Sequence, residues 1–149
     1  SDKIKLTKEQ TKLLEQYAVL MEKTNLQPAM AKVLALLNVA DESDLTFSQI
    51  QDTLGLSKGG ASLAINHLLA TERIEYRTKL GDRKRYFYIP VQNWKEIATK
   101  HFEGLKSYIQ INQKILEFHN HKSKEYTNAL REMTEFLSAI HKLFEEKLK

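Results

Sequence analysis

The residues of this 149-residue chain best suited to chemistry are small, polar or basic, and they fall in two short runs. The first is Ser57-Lys58-Gly59-Gly60-Ala61-Ser62, with Asn66 one turn further on. The second is Lys79-Leu80-Gly81-Asp82-Arg83-Lys84-Arg85-Tyr86. A serine opening a helix, followed by free amides and a lysine, suits a phosphate, because the first amides of a helix have no internal partner and sit at the positive end of its dipole. Lys58, Gly59, Ser62 and Asn66 hydrogen-bond or approach closely without bulk, which suits a base edge in the major groove; asparagine pairs well with adenine. Gly59 and Gly60 each cost about 1 kcal/mol relative to alanine in a helix, so stability alone would not select them. What they provide is a thin helix start. Arg83, Lys84 and Arg85 supply charge for a phosphate backbone or a minor groove.

Bond-making chemistry has no comparable candidates. No serine stands in a nucleophile elbow, and no glycine-rich phosphate loop occurs. Of the histidines at 67, 101, 119, 121 and 141, His119-x-His121 cannot share one helix face, and there is no cysteine to complete a ligand set, so no metal is expected. Glu125, Glu132 and Glu135 alternate with Lys124 and Arg131 as a solvated helix face does. We therefore expect no enzyme activity and no cofactor. Cysteine is absent, which excludes disulfide and thiol chemistry and fits a reducing cytoplasm. No apolar run reaches the roughly 18 residues of a membrane span, and the polar, lysine-rich beginning has no signal-peptide core. The expected location is cytoplasmic.

The elements that must position these runs can be read from spacing. Thr7 with Gln10 forms a capping box for a helix over 7–23, with Leu13, Leu14, Tyr17, Leu20 and Met21 on one face. Pro28 starts a second helix, apolar nearly all round to Val39 except at Lys32 and Asn38, and such a helix is buried. Thr46 caps a third helix carrying Phe47, Ile50 and Leu54; Gly55 ends it in a left-handed conformation, and Ser57 caps a fourth. The fourth helix buries Ala61, Ala64, Ile65, Leu68 and Leu69 and exposes Lys58, Gly59, Ser62, Leu63, Asn66 and His67. A hairpin follows, with Ile74, Tyr76 and Leu80 alternating with Glu75, Arg77 and Lys79 on the first strand and Phe87 and Ile89 with Tyr86 and Tyr88 on the return, until Pro90 stops it. Leu45 is expected to pair with this hairpin.

Charge separates the two runs. Residues 41–70 hold four acids (41, 42, 44, 52) and one lysine or arginine (58), whereas residues 72–85 hold six bases (73, 77, 79, 83, 84, 85) and three acids (72, 75, 82). A basic hairpin beside a nearly neutral helix fits phosphate positioning by the one and base reading by the other. A solvated hairpin that guards a sheet edge would show the same charges.

Leu54-Gly55-Leu56-Ser57-Lys58-Gly59-Gly60-Ala61-Ser62, with the Gly81-Asp82-Arg83-Lys84-Arg85-Tyr86 wing, resembles the winged helix-turn-helix of the MarR family of bacterial repressors. The Ser-Lys-Gly opening is most similar to the GbsR-like branch. The match covers about the middle third of the chain; Gln51 and Gly60 depart from the usual pattern. The resemblance implies a mainly α fold with a small β-hairpin wing. It further implies a sequence-specific double-stranded DNA-binding transcription regulator, a repressor, released by a small-molecule effector. DNA contacts would come from Ser57, Lys58, Gly59, Ser62, Asn66, Arg83, Lys84 and Arg85. In the GbsR-like branch a quaternary ammonium effector would suit an aromatic cage, here Trp94, Phe102 and Tyr108, although aromatics at helical spacing also serve as core.

After Pro90 the pattern is helical to the end: one helix over about 92–120, a break at His119-Asn120-His121-Lys122-Ser123, and a last helix from Tyr126 to Leu148. Their apolar stripes, including Tyr108, Ile115, Met133, Phe136, Ile140 and Phe144, exceed what one small winged domain can cover. A two-fold homodimer reading a near-palindromic site resolves this; a helical hairpin packed on its own domain is the alternative. The expected division is an N-terminal helix contributing to dimerisation (1–26), the winged helix-turn-helix (27–90) and C-terminal dimerisation helices (91–149). A rival function is a winged-helix module that binds protein and not DNA.

Overall fold

The computed structural model describes residues 1–118 and 122–148. The chain forms two compact units, Ser1–Pro90 and Val91–Lys149.

The first unit is organised around α2 (Pro28–Val39), entered with proline at its first turn as φ restriction favours. Ala31, Val33, Ala35 and Leu36 on it are wholly excluded from solvent, and beyond Pro28 only Lys32 and Asn38 are exposed, because the helix is covered on nearly every side. α1 (Lys8–Glu22) packs along it, giving Leu14 and Ala18 to the core. Its Thr7–Gln10 capping box forms, and the Gln10 amide also donates to the Val39 carbonyl at 3.0 Å and to Asp41 at 3.1 Å, tying the start of α1 to the end of α2. Residues 1–6 lie outside any helix. The Asp2 amide donates to the Asp52 carboxylate at 2.8 Å and the Ile4 amide to the Thr53 hydroxyl at 2.9 Å, an attachment no sequence pattern announced.

β1 (Leu45–Thr46) leads into α3 (Phe47–Leu54), capped by Thr46 in a reciprocal box with Gln49. Gly55 has φ +66°, the left-handed stop its position calls for, and the Leu56 amide closes the corner onto the Gln51 carbonyl at 3.1 Å. α4 (Lys58–Ala70) buries Ala61, Ala64, Ile65 and Leu68 against α2 and the rest of the core. β2 (Glu75–Thr78) and β3 (Arg85–Tyr88) make the hairpin, and β3 lies centrally in the antiparallel order β1-β3-β2, with Leu45 opposite Phe87. The fold is thus mainly α with a small three-stranded sheet, the winged helix-turn-helix expected.

One hairpin residue departs from the expected alternation. β2 ends at Thr78, so Leu80 belongs to the turn and stands fully exposed at the tip, and Tyr76 is half-exposed. The period-two rule applies only while the ladder continues, and the ladder closes at the Thr78–Arg85 pair.

In the second unit a single 3₁₀ turn, Val91–Asn93, precedes α5 (Trp94–Phe118), so the long helix starts two residues later than expected. α6 (Lys124–Leu148) pairs with it antiparallel: Phe102 near the start of α5 stacks on Phe144 near the end of α6, at 3.6 Å between ring centres. The expected break at 119–123 falls largely outside the described residues. Among the described residues of this unit, only Ile109, Asn112, Thr134 and His141 are buried. One apolar residue in four is a thin core for two helices of 25 residues each. Tyr108, Ile111, Phe118, Tyr126, Met133, Phe136 and Leu143 remain exposed, while Ile115, Ile140 and Phe144 are partly covered.

Candidate nucleic-acid interface

The first half of the interface is the start of α4. Ser57 takes an extended conformation and its hydroxyl oxygen accepts the Gly60 amide at 3.0 Å. Ala61 donates to the Ser57 carbonyl, so the amides of Lys58 and Gly59 are the ones left facing outward for an anion. Ser57, Lys58, Gly59 and Asn66 are exposed and Ser62 is half-buried. The Asn66 amide donates to the Ser62 hydroxyl at 3.3 Å, so these two side chains hold each other on the outer face. Leu63, next to Ser62 in the chain, is two-thirds exposed, an apolar surface suited to a thymine methyl group.

The two glycines differ. A β-carbon built on Gly60 would lie 3.0 Å from the Ser57 hydroxyl oxygen, the atom that caps the helix. Gly60 is therefore accounted for within the chain. A β-carbon on Gly59 would meet nothing within 4 Å, so no intramolecular contact explains that glycine.

The second half is the wing. Lys79 to Asp82 form a tight turn, closed by the Asp82 amide on the Lys79 carbonyl at 3.0 Å, with Gly81 at φ +79°. Asp82 fixes the start of the return strand: its carboxylate accepts the Lys84 amide at 2.9 Å and the Tyr86 hydroxyl. The Tyr86 hydroxyl, then the Lys84 amide, hold the Asp82 carboxyl below the usual carboxylate range, and the same bond pushes the Tyr86 phenol up. Tyr88 is likewise pushed up, by its 2.9 Å bond to Glu75.

The wing's cations sort by face. Arg77 lies over the Tyr88 ring at 3.9 Å and pairs with Asp44 at 3.2 Å; Lys79 lies over the Tyr86 ring at 3.9 Å and pairs with the same carboxylate at 3.1 Å. On the opposite face Arg85 stacks over Tyr76 at 5.0 Å and Phe87 at 5.3 Å. Arg83 and Lys84 at the tip are exposed and, among the described residues, form no ion pair. Asp44 was legible only as one acid of an acidic loop; its part in the wing needs the register of three strands.

The three aromatics considered for an effector are not brought together. Phe102 lines a cavity of about 300 Å³ with Thr99, Glu103, Lys106, His141, Glu145 and Leu148. Trp94 and Tyr108 are about half exposed and do not line it. Fourteen residues of helix, roughly 21 Å, separate those two. Among the described residues no group of three histidine, aspartate or glutamate side chains could hold a metal. His119 and His121 lie outside them. No described helix is long and apolar enough to cross a membrane.

The structure is similar to a crystal structure of a transcriptional regulator, with TM-score 0.71 and 20% identity over 94% of this chain and 95% of that one. MepR, a transcription regulator of the Staphylococcus aureus multidrug efflux pump MepA, aligns at TM-score 0.45 and 15% identity over 87% and 91% of the two chains. NMB1585, a MarR family regulator from Neisseria meningitidis, aligns at 0.41 and 19% over 89% of each. No protein-family model and no curated protein matches the sequence. The first likeness shows the fold alone, mainly α with a small three-stranded sheet.

Proposed function

We propose that this chain is a MarR-like, sequence-specific DNA-binding transcription regulator working as a homodimer on a near-palindromic site. α4 would enter the major groove by its first turns, with Ser57, Lys58 and Gly59 at a phosphate and Ser62 and Asn66 at base edges; Arg83, Lys84 and Arg85 would hold the adjacent backbone or minor groove. The observation that carries this reading is the start of α4. It is capped, glycine-thinned and open to solvent at Gly59, on a fold whose matched neighbour is a transcriptional regulator. A module that binds protein through the same fold has no use for that open glycine or for two cations at the wing tip that pair with no described residue.

Dimerisation through the helix of residues 1–26 and those of 91–149 is supported by the apolar side chains left uncovered on α5 and α6 and by Leu13, Val19 and Leu20 on α1. The repressor role rests on the resemblance to the MarR family alone, and the GbsR-like affinity on the Ser-Lys-Gly opening. An effector site would use the cavity at Phe102 and not the set of three aromatics. Selecting bound sequences from a random DNA pool tests the central proposal. An enriched, two-fold-related motif is the expected result, and a protein that retains no duplex at low salt refutes it.

A further inference from the structure

The wing carries more positive charge than it offers. The register places Arg77 and Thr46 opposite Tyr86 and Glu75 opposite Tyr88, all on one sheet face, and the ion pairs of Asp44, just before β1, place it on that face too. On that face each charge has a partner. The Asp44 side chain is only one-tenth exposed and takes Arg77 on one oxygen and Lys79 on the other, at 3.2 and 3.1 Å. Each cation also lies 3.9 Å over a tyrosine ring, which fixes it flat against the sheet. Glu75 takes the Tyr88 hydroxyl and Asp82 the Tyr86 hydroxyl. Two cations against three carboxylates leave this face with no positive excess, and Arg83, Lys84 and Arg85 carry the charge at the tip and on the other face.

We propose that Asp44 is a specificity-determining residue, which withholds Arg77 and Lys79 from DNA phosphates and so keeps binding to unrelated sequence weak. The proposal rests on the DNA-binding function above. Phosphate contacts raise affinity for all sequences alike, because each releases counterions without reading a base. A wing that used all of its cations would gain on every site in a genome at once. One that uses those at its tip lets the contacts of α4 decide.

The test is the salt dependence of binding to a random-sequence duplex, measured by fluorescence anisotropy. Asp44→Asn keeps the shape of the side chain and removes its charge. At about 0.9 for each phosphate newly engaged, the slope of log affinity against log salt should steepen by up to about 1.8, so affinity falls about twelvefold more between roughly 50 and 200 mM salt than it does for the parent. Arg77→Gln alone should leave the parent slope unchanged. Arg77→Gln added to Asp44→Asn should take back about half of the change. An unchanged slope in Asp44→Asn, or a shallower slope in Arg77→Gln alone, overturns the inference; the second result does so whether or not the Asp44 variant folds. A parent that binds no duplex at any salt removes the proposed function and this inference with it, whereas a parent that binds with an unmoved Asp44→Asn slope removes the inference alone.

Discussion

Substituting the two glycines at the start of α4 separates a folding role from a docking role. At Gly59 the added β-carbon of alanine meets nothing within 4 Å, so Gly59→Ala should gain the intrinsic preference of alanine, up to about 1 kcal/mol. In a chain of this size that is roughly 2–4 °C in melting temperature. At Gly60 the same gain is opposed, because the β-carbon would press on the Ser57 hydroxyl oxygen at 3.0 Å, and a lost serine cap costs about 1 kcal/mol. Gly60→Ala should therefore be close to neutral. Gly59→Leu should also fold and melt near the parent, since its side chain points into open space. That side chain would hold the helix start off a phosphate and disturb the base contacts of the first turns. Losing about 1–3 kcal/mol there is roughly a 5- to 150-fold weaker Kd for the selected site. Thermal melts and binding isotherms on the three variants decide the matter. If Gly59→Leu binds like the parent, α4 does not dock by its N-terminal turn. If both Gly59 variants melt far below it, the glycine serves the backbone and no longer speaks for docking.

The remaining expectations concern the wing, the face of α4 and the long helices. Arg83→Ala and Lys84→Ala should weaken binding to all sequences and flatten the salt slope by about 0.9 each, while Asn66→Ala should narrow the gap between selected and random DNA by about 1–3 kcal/mol; wing variants that changed sequence preference alone would reverse these roles. In sedimentation at micromolar concentration the 17.3 kDa chain should run at twice its mass, and Phe136→Glu, a charge placed on the exposed stripe, should return it to monomer; a monomeric parent refutes the dimer. Asp82, whose carboxyl is held down by Tyr86, should keep its turn bonds above its ordinary value of 3.8 and lose them as pH falls through its lowered value in the folded chain. Tyr86→Phe should move that NMR-detected titration upward, and an unmoved titration refutes the assignment.

The helices of the first unit were legible because local rules and burial agree there. Thr7, Pro28, Thr46, Gly55 and Ser57 each mark a helix end by chemistry confined to one turn, and all five act as their types require. α2 could be placed at the centre because a helix apolar on every side has nowhere else to go. Leu80 shows the limit of that logic: alternation says which face a residue occupies while a strand lasts, but not where the strand ends. The attachment of residues 1–6 to α3 was out of reach for another reason. It consists of two backbone amides on side chains about fifty positions away, and amides carry no sequence signal.

The candidate site was legible as composition and not as electrostatics. Counting gave the wing six bases and three acids, an excess of three. Geometry assigns two of those bases to Asp44, which the count had placed in a different segment, and leaves the tip to Arg83 and Lys84. The same division between type and partner governs the second unit. Asn112 carries no signal of its own in the sequence, yet it is buried with its amide donating to no described partner, on a pair of helices that bury a single apolar residue among the described residues. A buried amide without an acceptor is costly, at about 1–3 kcal/mol, and replacing it by a side chain of similar shape removes that cost. Asn112→Leu should therefore raise the melting temperature if the α5–α6 pair is complete within one chain. If a second copy supplies the acceptor, as a dimer would allow, the substitution should instead lower the melting temperature or loosen the assembly. Melting and sedimentation of this one variant thus report whether the thin core of the second unit is finished by the chain or by its partner.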